Sequence, residues 1–424
     1  MKKSFFFLFA VMLTALSFQS CVKDSCEQMT TWVETTAIFR TQAEIDAISP
    51  VSEAARTLQN PGKLYFYNDF IFINEVREGI HIIDNRDPHN PVNTGFIKLE
   101  GNADIAIKDG RLYADCYMDL FVLDVTDVNN VQVIERQKDA FERGWDNGEG
   151  GIFVYNEQEM KTEVLDCEVR NSMINRGGIF FADDFALANA EADFSFGGGG
   201  GGTGTGGSMA RFSLINDHLY SVGQSTMRVF SLNNPDAPAL LSTVDIGWGI
   251  ETIFPHEDKL FIGSVSGMQI WDNSEPSAPF FLSEFRHARA CDPVFVKDNY
   301  AYVTLRDGSF CQGFNNQLDL IDITDLTNPR LEQTFPMDNP HGLSIDDNTL
   351  FICEGEHGLK SFDISDPTKL DRNKLDHVKD IFAYDVIAMP GESDILLMIG
   401  EDGFFQYDYS DPDRLTEISR IPVE

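Results

Sequence analysis

Residues able to bind a cation or move a proton fall at matching places in successive stretches of this chain: Glu251, Asp292, His341 and Asp385. Carboxylate oxygens and an imidazole suit a divalent metal, and the same groups serve as general acid or base. Arg211, one place further along in an earlier stretch, would offer a positive charge to an anionic group. No HxxxH, CxxC or EF-hand spacing and no GxSxG accompanies them. The sequence therefore implies no cofactor, and a divalent metal at this place is the single exception the residue types allow.

What positions these residues is a repeated unit. The stretch Met268–Pro279, MQIWDNSEPSAP, recurs as Ile80–Pro91, Leu318–Pro329 and Leu359–Leu370. Looser copies are Leu120–Val131, Met227–Pro238 and Phe404–Leu415. Each is an apolar strand, an Asp, a polar turn and usually a Pro. The slot is filled by Asp84, Asp124, Ser231, Asp272, Asp322, Asp363 and Asp408. Spacings of about 40–50 residues with only short β-type runs inside them predict propeller blades. The second unit reads as four strands, with Lys108-Asp109-Gly110 as the first hairpin turn. Asp bonds a main-chain N–H two residues on and Pro presets φ, so DxxDP suits a turn. A residue needed once per unit is structural rather than catalytic. The expectation is an all-β chain: a propeller of seven four-stranded blades with one long insertion.

The units resemble the LVIVD-repeat family of β-propellers. The run before the turn appears here as IHIID, LFVLD, MQIWD and LDLID. The resemblance covers roughly residues 61–420 apart from the insertion. It implies a fold and a repeat type, and no catalytic residues.

In a blade the first strand lines the central channel. Its leading end and the loop between strands two and three share one face, and the DxxDP turns lie on the other. Aligning the units puts Gly62, Ala103, Ala210, Glu251, Asp292, His341 and Asp385 around one channel mouth. Lys63, Asp104 and Arg211 follow them. The matching loops add Arg77, Glu78, Tyr117, Asp119, Arg306, Asp307, Glu354, Glu356, His357, Glu401 and Asp402. A ligand or metal site at that mouth is the functional expectation, set against the fact that any propeller mouth is wet and polar.

The 424-residue chain carries a net charge of −36. Residues 1–20 hold Lys2, Lys3 and no acid, so the chain without them stands at −38. Such a charge disfavours nucleic acid and anionic lipid surfaces. Lys2-Lys3, the apolar run Phe5–Leu16 and then Cys21 read as a secretory signal of lipoprotein type, with Cys21 as the lipidated residue. The signal departs from the usual pattern at Phe18 and Gln19. Residues 1–20 are thus a signal peptide, 21–60 a tether and 61–424 the propeller. The expected place is the outer membrane or cell surface, with membrane contact through the lipid alone.

The tether holds a possible short helix at Ala43–Ile48, and Thr31–Phe39 could add a strand. The insertion, 137–207, contains a hairpin over Ile152–Val169 and the glycine tract Gly197–Gly207. That tract lacks the Lys-Ser/Thr of a phosphate loop and reads as a linker. Cys291 and Cys311 fall on one rim of the fifth unit, where a disulfide would close a loop of about twenty residues. Cys116 and Cys353 read as small core residues.

Two functions fit. The first is a non-catalytic binding module on the cell envelope with a protein or glycan partner. The second is a metal-assisted hydrolase or lyase at the channel mouth.

Overall fold

The computed structural model describes residues 27–166, 205–206, 211–286, 293–306, 316–389 and 393–424. Its sheets include seven meanders of four antiparallel strands, at 61–98, 105–137, 212–245, 250–286, 294–336, 343–378 and 385–422. These are the blades of a β-propeller. The innermost strands neighbour one another all the way round, blade seven returning to blade one. The insertion leaves between blades two and three.

Local chemistry makes each blade. The first hairpins turn through residues at positive φ such as Asn68, Asp109, Asn216 and Asp298, residue types that tolerate the left-handed region. At the opposite end the repeated Asp closes the next turn on itself. Asp84, Asp124, Asp272, Asp322, Asp363 and Asp408 each accept the backbone N–H two residues on, at 2.8–3.1 Å. Ser231 does the same at 3.3 Å. Side-chain bonds from the residue two on, and after them these backbone bonds, hold the turn carboxylates below the usual carboxylate range, Asp272 at about 2.

Packing then makes the ring. Apolar side chains gather in seams between neighbouring blades: Tyr220, Ile253 and Trp271 between three and four, Phe261, Val303 and Ile321 between four and five. Each buried side chain of this size contributes about 1.5–3 kcal/mol. Every blade is built from consecutive strands, so the ring closes by packing. Leu64 and Ile73 of blade one meet Leu397 and Phe404 of blade seven. The Asn85 and Gln406 amides pair there at 2.8 and 3.0 Å. The outer strand of every blade shows a register shift, and such irregularity discourages edge pairing.

The segment before the ring is more ordered than a tether. Residues 37–155 and 187–424 form one compact unit. In it the helix Gln42–Ala47 starts at a capping box of Thr41 and Glu44. Arg136 of blade two donates to the helix carbonyls of Ile45 and Asp46 and to that of Ile48. Val51–Glu53 pairs on the outer edge of blade one. Gly151–Asp166 is one strand, not a hairpin, and its partner is Glu27–Thr41. The described residues 27–36 and 156–166 belong to a second unit, in which Lys161 pairs with Glu34. Thr205–Gly206 adds a short strand to the inner edge of blade one.

Candidate functional site

The channel mouth on the strand-leading face has two unlike halves. Blades one to three staple their half shut. Lys63 and Asp104 are both buried and pair at 2.8 Å. Asp104 Oδ2 also accepts the backbone N–H groups of Arg211 and Phe212 at 2.7 and 3.0 Å, fixing blade three to blade two. Asp115 Oδ1 takes three donors, Asn102 Nδ2, Ala103 N and Asp104 N, at 2.8–2.9 Å. Burial pushes its carboxyl up to about 6. A half-buried acid so occupied is a structural element. Arg211 thus enters this joint through its backbone.

Many loop residues of this face are spent as well. Arg77 stacks on the Tyr155 ring at 3.9 Å. Tyr117 donates to Glu100 at 3.1 Å. Asp119 pairs with Arg136 at 2.7 Å. Glu354, fully buried, pairs with Lys360, which also reaches Asp338 at 2.7 Å.

The half between blades four and seven is different. His341, just ahead of the first strand of blade six, is 5 % exposed. Its backbone is pinned on both sides: its N–H donates to the Cys353 carbonyl at 2.7 Å, and its carbonyl accepts the Thr304 hydroxyl at 2.9 Å. Gly355 makes room for the ring. A Cβ there would lie 3.0 Å from His341 Nε2, and its φ is +52°, where a side chain is strained. Arg306, from the end of the second strand of blade five, lays Nη1 against both ring nitrogens, 3.1 Å from Nε2. Burial, reinforced by the Arg306 charge, holds the imidazole well below its ordinary value, so it is neutral at physiological pH. Glu251 and Tyr384 lie within electrostatic reach of Arg306. Tyr384 and Phe382 wall the imidazole, their rings 5.8 and 6.4 Å from it and 4.9 Å from each other.

Of the residues the sequence singled out, Glu251, His341 and the loop residue Arg306 belong to this cluster. Asp385 sits beside it, inside the wall. It is 5 % exposed, and its Oδ1 accepts the N–H of Val386 at 2.9 Å. The strand register explains the offset. Leu64, Ile253, Leu343 and Val386 each face the fourth residue of their second strands. Two residues earlier stand Gly62, Glu251, His341 and Tyr384. Asp385 therefore matches Lys63 and Asp104, one place beyond the alignment read from the sequence. The first hairpin of blade seven is longer than its counterparts, and this hid the shift. Asp292, Cys21, Cys291 and Cys311 lie outside the described residues. Cys116 and Cys353 are buried free thiols. Among the described residues no group of three or more His, Cys, Asp or Glu side chains could hold a metal ion. At His341 the Arg306 guanidinium stands where a cation would have to approach.

The LVIVD repeat family model matches residues 288–335, the stretch of blade five. The chain is a β-propeller, and its fifth blade is similar to the LVIVD repeat. A functionally unknown protein from Desulfotomaculum acetoxidans DSM 771 is similar over 85% of this chain and 95% of its own, with a TM-score of 0.52 and 10% identity. Sqt1 from Saccharomyces cerevisiae gives a TM-score of 0.49 and 11% identity over 87% of this chain and 97% of its own. At such identities the first likeness carries the fold alone, and the second carries no argument. The search of curated proteins gives no match. Among the described residues no helix is long and apolar enough to cross a membrane.

Proposed function

We propose that this propeller is an exported, lipid-anchored, non-catalytic binding module whose ligand sits at the channel mouth between blades four and seven. The observation that carries the reading is the state of Arg306. A guanidinium partly withdrawn from water, as the half-buried Arg306 is, normally has a carboxylate partner. Arg306 has a neutral imidazole instead, and among the described residues no carboxylate at ion-pair distance. Aromatic rings stand beside it. Among the described residues Asp104, Asp115 and Asp119 elsewhere around the mouth have partners within the protein, and the opposite face spends its aspartates on its own turns.

The N-terminal pattern ending at Cys21 supports a lipid anchor, and a charge of −36 supports a soluble body held at an envelope surface. Such a module takes a protein or glycan partner. The test is binding of the purified chain to an array of neutral and acidic glycans, repeated with Arg306→Gln/His341→Ala and with Asp322→Ala/Asp363→Ala. The proposal expects the first double variant to lose the signal and the second to keep it. Equal loss in both, or in neither, overturns the assignment of the face.

A further inference from the structure

The same mouth specifies a ligand chemistry, and this step rests on the reading just given. We infer that it takes a uronic-acid-type sugar: one carboxylate on a ring that carries hydroxyls. Three features of the cluster each select a part of that molecule.

The first is Arg306. Its planar fork offers five N–H donors, matched to two carboxylate oxygens. Its hydrogen-bond partner among the described residues is His341, which binds Nη1 and leaves the Nε and Nη2 side of the fork for a ligand. A ligand carboxylate there converts a half-buried, poorly compensated charge into a bidentate pair.

The second is the sign of everything around it. Glu251 bears on Arg306 and Glu401 bears on Tyr384. Acceptors of this kind repel a doubly charged phosphate group. They favour a single negative charge flanked by hydroxyl donors, which carboxylates bind well.

The third is the wall. Tyr384 and Phe382 are packed with their rings tilted at 56°, 4.9 Å apart, and neither is fully buried. A ring face beside polar groups suits a flat, partly apolar body with a polar rim, such as the C–H face of a pyranose. The Tyr384 backbone is locked by bonds from Gly342 N to its carbonyl at 2.9 Å and from its own N–H to Ile399 O at 2.8 Å. The wall is therefore part of the rigid ring.

No other blade repeats this set. The positions equivalent to Arg306, seventh from the start of each second strand, are Val76, Tyr117, Gln224, Val265, Gly355 and Glu401.

The experiment is saturation-transfer NMR on the full chain with D-glucuronate as probe, beside D-glucose and D-glucose 6-phosphate at equal concentration. D-Glucuronate is expected to give signal, and the other two sugars less than a tenth of it. Arg306→Gln should abolish the glucuronate signal. Arg306→Lys, which keeps the charge and loses the fork, should weaken it at least fivefold. Tyr384→Ala should weaken it in a chain that is still folded by circular dichroism, at a lowered denaturant midpoint. Wild-type protein silent towards D-glucuronate overturns the inference, as does glucose giving an equal signal or Arg306→Gln keeping full signal. If the glycan array instead shows mouth-dependent binding of neutral glycans, the binding face survives and the acidic ligand alone falls.

Discussion

Replacing Asp272 by alanine is expected to lower stability by about 2 kcal/mol at pH 7. The side chain is 16 % exposed and holds three partners: the Ser274 N–H at 2.9 Å, the Ser274 hydroxyl at 2.5 Å and Lys259 at 3.1 Å. A hydrogen bond nets about 1 kcal/mol, and a surface ion pair adds a few tenths. The titration gives the same order. The folded carboxyl lies at about 2 against an ordinary 3.8, first through its bonds to Ser274 and then through Lys259. A displacement of that size is worth about 2 kcal/mol. Because the folded value is depressed, this stability is fully present above the ordinary carboxylate value and disappears as pH falls towards 2. Urea midpoints of wild type and Asp272→Ala should therefore differ most at pH 7 and converge between pH 4 and pH 2. Asp272→Asn keeps an acceptor for the Ser274 N–H and should lose roughly half as much. A gap that persists unchanged at pH 2.5, or one absent at pH 7, refutes the turn-lock account of the repeat.

Asp322→Ala/Asp363→Ala should cost about 1 kcal/mol per site, additively because the two lie in separate blades, with ligand binding intact in the array assay. Asp292→Ala/His341→Ala should do the reverse, abolishing binding with little change in melting temperature. His341 has a folded value depressed by burial, so its contribution is present above the ordinary histidine value and lost as pH falls below it; His341→Gln should flatten the stability profile between pH 7 and pH 5. Cys116, pushed up to about 12, and Cys353, also raised by burial, should resist thiol labelling in the folded chain and react in urea, read by peptide mass spectrometry. Cys21→Ala should move the protein from the membrane to the soluble fraction; wild type already soluble after export would contradict the anchor.

The blades were legible because their signature is local. Each repeated Asp bonds an N–H two residues away, so a seven-fold structural task is written seven times in the sequence. The helix at Gln42–Ala47, expected at Ala43–Ile48, was likewise legible from its own residues. Pairings that cross the chain were not. Gly151–Asp166 read as a hairpin because nothing in its composition points to Glu27–Thr41, more than a hundred residues earlier. The candidate site was half legible. Glu251 and His341 followed from the repeat, but Tyr384 was displaced by a longer hairpin. Arg306 was one of many loop charges until the ring set it against His341. Its importance lies in the absence of an ion-pair partner among the described residues, a property no single segment encodes.

The central claim is that ligand binds at the mouth between blades four and seven and nowhere on the Asp-turn face. Amide hydrogen exchange of the full chain, with and without a saturating uronic-acid oligosaccharide, tests it most directly. The account predicts added protection at Ile250–His256, at 304–306, at 341–346 and at 382–388, with the turns at 85–90, 273–278 and 323–328 unchanged. Protection at those turns, or none at the mouth, would contradict it.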